Sequence, residues 1–344
     1  MLLNVHLTAG VVAETSKSEA KYAAPALRRE IRDLLLRHGI LRFTSGEEAK
    51  RLLDALQDPN LTQQEATEWK QIVMTLHGAG RLQAENPALT DELENADSPA
   101  DLDPLKPLQP LLSVLPPETY SRIFPQAQSG LSRVATQFEA GVPGSLTESI
   151  QYAGVQKLAE LGSYPKTTKR DQIWRELLEP FVRVSNHVYI FDKYLFSALA
   201  ETSDEHVNWL LTQLDRDMSP GSAVTLIGAR AIPDDRGGYK ISSYASEAED
   251  MLRDYLPYKF ANLTSVQVLL APSVRQRDMH HDRHIRFSAG AAFEFPSGFD
   301  RLGYPNLRDN FGFTYRYSPA TLKELQEREN AVRHVQDNHN FDLL

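Results

Sequence analysis

The chain has 344 residues, 41% of them hydrophobic and 24% charged, a composition that excludes a disordered or collagen-like protein and predicts two domains, or one with a large appendage. Lys and Arg number 37 against 46 Asp and Glu, a formal net charge of −9; coating of nucleic acid through bulk positive charge is excluded, so phosphate binding has to be local. No cysteine is present, which excludes disulfides, thiolate metal sites and cysteine nucleophiles.

Leu2 to Leu7 reads as a short strand. Leu27, Ile31, Leu34 and Leu35 then recur at helical spacing, with Gly39 as the stop. Ser45 with Glu48, and Thr62 with Glu65, form two capping boxes that open helices carrying Leu52, Leu53 and Leu56, and Trp69, Ile72, Val73 and Leu76. From Glu85 to Asp103 there are seven acidic residues and no basic one, and Pro87 to Pro125 contains eight prolines. Proline fixes φ and removes a backbone donor, so this stretch reads as an exposed connector. Helical patterning resumes over Leu131–Phe138 and Leu146–Leu161.

Beyond Lys166 the texture changes. A helix carrying Ile173, Trp174, Leu177, Leu178 and Phe181 precedes a buried-type strand, His187 to Phe191, that ends at Asp192. A helix marked by Val207, Leu210, Leu211 and Leu214 leads to a strand over Ala223–Ile227; one marked by Met251, Leu252 and Tyr255 leads to a strand over Val266–Leu270. Strands at His281–Phe287 and Ala291–Phe295 follow, and Ser318-Pro319 opens a C-terminal helix. Strands alternating with helices predict a layered α/β domain with a largely parallel sheet. The expected division is a mostly helical region at 1–84, an acidic Pro-rich connector at 85–125, a helical stretch at 126–165, an α/β domain at 166–320, and a C-terminal helix and tail at 321–344.

Arg275 to Arg286 packs four arginines and three of the ten histidines into twelve positions. On a strand, His281, Arg283, Ile285 and Phe287 share one parity, and the apolar pair marks it as inward; His280, Asp282, His284 and Arg286 point the other way. A histidine and an arginine two apart suit a phosphate, because arginine offers fixed, charged donors and histidine serves as nucleophile, acid or base near neutral pH. The bland alternative is a polar loop whose cations meet solvent or Asp278 and Asp282. His280, His281, Asp282 and His284 also include imidazole and carboxylate metal ligands, but interleaved arginines repel a cation, so no metal and no cofactor is expected.

The run His281-Asp282-Arg283-His284-Ile285-Arg286, then Gly290 and Gly298-Phe299-Asp300, resembles the C-terminal domain of MIT-domain proteins, which has a phospholipase D-like fold and carries H-D-R-x-I-R, a glycine and G-x-D. Asp192-Lys193-Tyr194 resembles that family's D-x-Y element. The resemblance covers about residues 170–320 and does not extend to an MIT three-helix module in the first half. It implies a phospholipase D-like α/β domain; with the helices read from periodicity in the first half, the expected fold is α+β or α/β, a helical N-terminal half followed by that domain. Active phospholipase D enzymes use H-x-K-x4-D, usually twice per site, without metal; here the motif reads His281-x-Arg283-x4-Ser288 and occurs once. The implied catalytic set is His281, Arg283, Asp192 and Tyr194, with Arg286, His284, Ser288, Gly298 and Asp300 expected around the phosphate. The implied function is a metal-independent nuclease or other phosphodiesterase of a prokaryotic defence system; the alternative is a catalytically silent module that binds nucleic acid, anionic lipid headgroups or a protein. A single motif implies a homodimer or a different partner acid. No apolar run approaches the ~18 residues of a membrane span, and Met1 to Leu7 lacks a basic n-region, so a cytoplasmic protein with no membrane partner is expected.

Overall fold

A computed structural model describes residues 1–15, 23–84, 95–197, 206–233, 239–256, 259–273, 279–280 and 282–344. The chain divides into two compact units, Met1–Leu158 and Ala159–Leu344.

The first unit is built on a sheet. Strand β1 (Leu3–Leu7) is followed by helices α1 (Ala9–Glu14) and α2 (Ala24–His38), strand β2 (Gly39–Phe43), and helices α3 (Gly46–Ala55) and α4 (Gln63–Gly78). Strand β3 (Leu82–Ala84), a 3₁₀ stretch (Pro99–Leu108), β4 (Leu111–Val114) and α5 (Pro117–Ile123) come next, then the hairpin β5 (Leu131–Ala135) and β6 (Phe138–Gly141), and α6 (Ile150–Glu160). The strand order is β3-β2-β1-β4-β6-β5, parallel throughout except for β5. Leu3, Val5 and Leu7 join Ile31, Leu34, Trp69 and Leu76 in one core layer. Leu111 and Phe138 join Leu102, Leu105, Tyr120 and Ile123 in the other.

The helices expected at 1–84 in the N-terminal half are present, but they pack on a six-stranded, mostly parallel sheet of which only β1 was expected. Gly39 does stop α2, and Gly39–Phe43 then form strand β2, which the periodicity did not predict. Strands β2 and β4 have only five and four residues, apolar but for Arg42 and Ser113 and largely buried on both faces as parallel strands are, and periodicity cannot separate so short a run from a helix end. The proposed connector keeps its charged and proline residues largely exposed, but its described part is folded into the first unit. It buries Leu102 and Leu105 and supplies β4, next to β1 in the sheet; its residues 85–94 lie outside the described ones. The expected helix over Leu131–Phe138 is the β5–β6 hairpin. Both capping boxes open helices as read: Ser45 Oγ accepts from Glu48 N, and Thr62 and Glu65 bond reciprocally.

The second unit follows its pattern closely. Strand β7 (Ser163–Tyr164) precedes a continuous helical run of α7 (Arg170–Ile173), a π-turn (Trp174–Leu178) and α8 (Glu179–Val182). Then come β8 (His187–Phe191), α9 (His206–Asp217), β9 (Ser222–Ala229), the small pair β10 (Ala231–Pro233) and β11 (Tyr239–Ile241), α10 (Ala245–Tyr255) and β12 (Leu263–Ala271). Strands β13 (His284–Phe287), β14 (Ala291–Glu294), β15 (Phe311–Gly312) and β16 (Thr314–Arg316), helix α11 (Pro319–Arg333) and β17 (His339–Asp342) complete it. The seven-stranded sheet has the order β16-β14-β13-β8-β9-β12-β17; β8, β9 and β12 are mutually parallel, but the other four pairs are antiparallel, so the sheet is mixed and not largely parallel as expected. Val188–Phe191 and Val266–Leu270 therefore share one sheet, as the α/β reading requires. Ile285 and Phe287 point to the layer holding Phe181 and Phe293. Phe191, Ile227 and Leu269 point to the opposite layer, with Val332 of α11.

Candidate phosphate-binding site

Register assembles the site. Strand β13 runs antiparallel to β8 with His284 opposite Phe191, so the residues just outside this pair, Arg283 and Asp192, face each other at the carboxyl end of β8. Arg283 Nε lies 3.3 Å from Asp192 Oδ1. Asp192 is 3% exposed; its Oδ1 accepts the Tyr194 amide at 2.9 Å and its Oδ2 the Phe299 amide at 3.4 Å. Burial pushes the Asp192 carboxyl above the usual range, against the pull of the Tyr194 N–H and of Arg283. The guanidinium also donates from Nη1 to the Pro296 carbonyl at 2.7 Å, and its carbon sits 5.5 Å from the centre of the Tyr194 ring.

Gly298 closes the turn beside it. Its φ is +82°, and a Cβ there would stand 2.7 Å from Asp300 Oδ1 and 3.3 Å from Arg283 Cδ and Nε. Only glycine fits this conformation and this approach without strain. Gly298→Ala is expected to weaken phosphodiester binding at least fivefold while lowering stability by about 1–2 kcal/mol, measured by titration calorimetry and urea unfolding; wild-type affinity would show that the turn does not set Arg283.

Thus Asp192, Tyr194, Arg283, Gly298 and Asp300 come together. His281 lies outside the described residues, as do Arg275 to Asp278. Three residues expected around the phosphate are placed elsewhere. His284 is fully buried on the α11 side, stacked on Phe191 at 4.9 Å, with Nε2 3.0 Å from Glu329 Oε1. Arg286 grips both oxygens of Glu329, at 2.8 and 2.5 Å, and lies 4.0 Å over the Tyr189 ring. Ser288 Oγ accepts the amides of Asn186 and His187 at 3.1 and 3.2 Å, at the far end of β13. The metal reading loses two members as well, since Asp282 pairs with Arg328 and His284 with Glu329.

A second constellation, which carries no catalytic motif in the sequence, lies in the first unit. His6 on β1 is opposite Ser113 on β4; its Nδ1 lies 2.9 Å from Ser113 Oγ and its Nε2 2.7 Å from Glu48 Oε1. With the carboxylate as acceptor, Nε2 carries the proton and Nδ1 accepts from the Ser113 hydroxyl. The other Glu48 oxygen takes the Thr44 amide at 2.6 Å. The bonding order is that of an activated serine, but Ser113 and His6 are both 0% exposed, so this arrangement fastens β1 to β4 and α3. The capping box around Glu48 was its one sequence signal.

The chain matches no protein-family model and no curated protein. Among the described residues no helix is long and apolar enough to cross a membrane.

Proposed function

We propose that the second unit is a phospholipase D-like phosphodiesterase, a metal-independent nuclease, whose Arg283 holds the phosphate and whose His281 attacks phosphorus. The observation that carries this reading is the setting of Arg283. Asp192 and the Pro296 carbonyl fix one side of the guanidinium, and among the described residues Nη2 has no hydrogen-bond partner. A fixed arginine with a donor to spare, at the carboxyl end of parallel strands, is arranged to take an oxyanion. Asp192 is a positioning residue: its carboxylate orients Arg283. The second reading, a module that binds phosphodiesters without cutting them, is favoured by Ser288, whose hydroxyl serves the backbone of Asn186 and His187; the motif's aspartate has no counterpart there to orient a histidine.

The test uses single- and double-stranded DNA and RNA, with and without EDTA. Cleavage is expected to persist in chelator, to disappear in His281→Ala, and to fall with Arg283→Ala, which should also weaken binding at least tenfold. Binding without cleavage would select the second reading. Unchanged affinity in Arg283→Ala would overturn both.

A further inference from the structure

Helices α2 and α4 pack side by side in the first unit, and a groove of about 300 Å³ lies between them. Arg28, Arg29 and Arg32 line it from α2, and Glu65 and Glu68 from α4. Three guanidinium groups against two carboxylates leave the lining one charge positive. The carboxylates are already engaged. Glu65 and Glu68 hold Arg28 at 2.7 and 3.4 Å; Glu65 also accepts from the Thr62 amide and hydroxyl, and Glu68 from Gln64.

The donors are left over. Arg29 has no ion-pair or hydrogen-bond partner among the described residues, and Arg32 reaches only Asp33, at 3.8 Å with both side chains about half exposed. Trp69 lines the same groove, is 1% exposed, and has no acceptor for its indole N–H among the described residues. The first turn of the 16-residue helix α4, with Thr62 and Gln64, forms the adjoining wall, and this is the end of a helix that favours negative charge. Two guanidinium groups without carboxylate partners at the groove suit an oxyanion. The volume is at the lower end of small-ligand sites and exceeds what one phosphate fills, and the charged lining is unsuited to an apolar ligand.

We propose that this groove binds a small phosphorylated metabolite, its phosphate held by Arg29 and Arg32 beside the first turn of α4. The site is independent of Arg283. It is tested on the full chain by isothermal titration calorimetry with two probes, adenosine monophosphate and inorganic phosphate. Adenosine monophosphate is expected to bind more tightly than phosphate. Arg29→Ala/Arg32→Ala should weaken it at least tenfold and Arg29→Lys/Arg32→Lys should restore part of the affinity; all titrations are repeated in chains carrying Arg283→Ala, so that the phosphate site proposed in the second unit does not contribute. Both arginines are exposed, so folding is not at risk. Saturation should also shift tryptophan emission, and the shift should vanish in Trp69→Phe. Absence of binding by either probe, or equal affinity in wild type and the double alanine variant, overturns the proposal; equal affinity for the two probes overturns the metabolite and leaves inorganic phosphate as the ligand.

Discussion

Glu329→Ala is expected to lower the stability of the second unit by about 3–5 kcal/mol, because it leaves the buried His284 and the largely buried Arg286 without their common acceptor. Glu329 is 2% exposed and is the link through which α11 holds β13. Burial works against its charged form, but the bonds from Arg286 and His284 outweigh this and hold the carboxyl below its usual range. A carboxyl lowered in the folded state stabilises fully above its unfolded value, and the contribution is lost as pH falls through the folded one. Wild type should therefore lose stability on acidification below the ordinary glutamate range, and Glu329→Ala should lack that component. Urea unfolding across pH measures both; a loss below 1 kcal/mol at neutral pH, or an unchanged acid limb, would show that α11 is held by its apolar contacts alone. Glu329→Gln keeps the volume and one acceptor and should fall between the two.

His6→Ala is expected to cost about 2–4 kcal/mol in the first unit. Two hydrogen bonds disappear, Ser113 is left with an unmatched buried hydroxyl, and a cavity forms between β1 and β4. Ser113→Ala removes the hydroxyl and leaves only the His6 Nδ1 to be satisfied, so about 1 kcal/mol is expected. The comparison also tests the role given to this trio. If Ser113 were a working nucleophile, a fluorophosphonate probe would label the wild type and not Ser113→Ala; a fully covered serine should stay unlabelled in both.

The second unit was legible because its strands are long or uniformly apolar and its helices carry clean periodicity. Val188 to Phe191, Ala223 to Ile227 and Val266 to Leu270 could be read directly, and parity correctly set His284 and Arg286 against Ile285 and Phe287. Parity could not say what waits on the outer side. The acceptor there, Glu329, is 43 residues from Arg286 and sits on a helix that reads as plainly polar, so His284 and Arg286 looked available for a phosphate. The first unit was less legible because β2 and β4 are short and flanked by helix signals or prolines. The pairing of Arg283 with Asp192 needed only the register of β13 against β8, which the D-x-Y and H-D-R elements anticipated in order though not in geometry. The His6 trio spans separations of 42 and 107 residues, beyond the reach of any spacing rule.

Strand β17 runs along the outer side of β12, with Gln267 to Leu270 opposite Asp342 to His339. Arg253 clamps it, donating to the Asp342 carbonyl at 3.0 Å and lying 5.0 Å over the Phe341 ring, while His339 meets Glu249 at 2.5 Å. These few residues act as a cover strip: β12 is a nine-residue, mostly apolar strand whose outer amides and carbonyls would otherwise form an open template for another chain. A truncation at Asn338 would thus turn the second unit from a self-contained sheet into a sticky-ended one, prone to pair with its own copies through β12, whereas an extension after Leu344 leaves the strip in place.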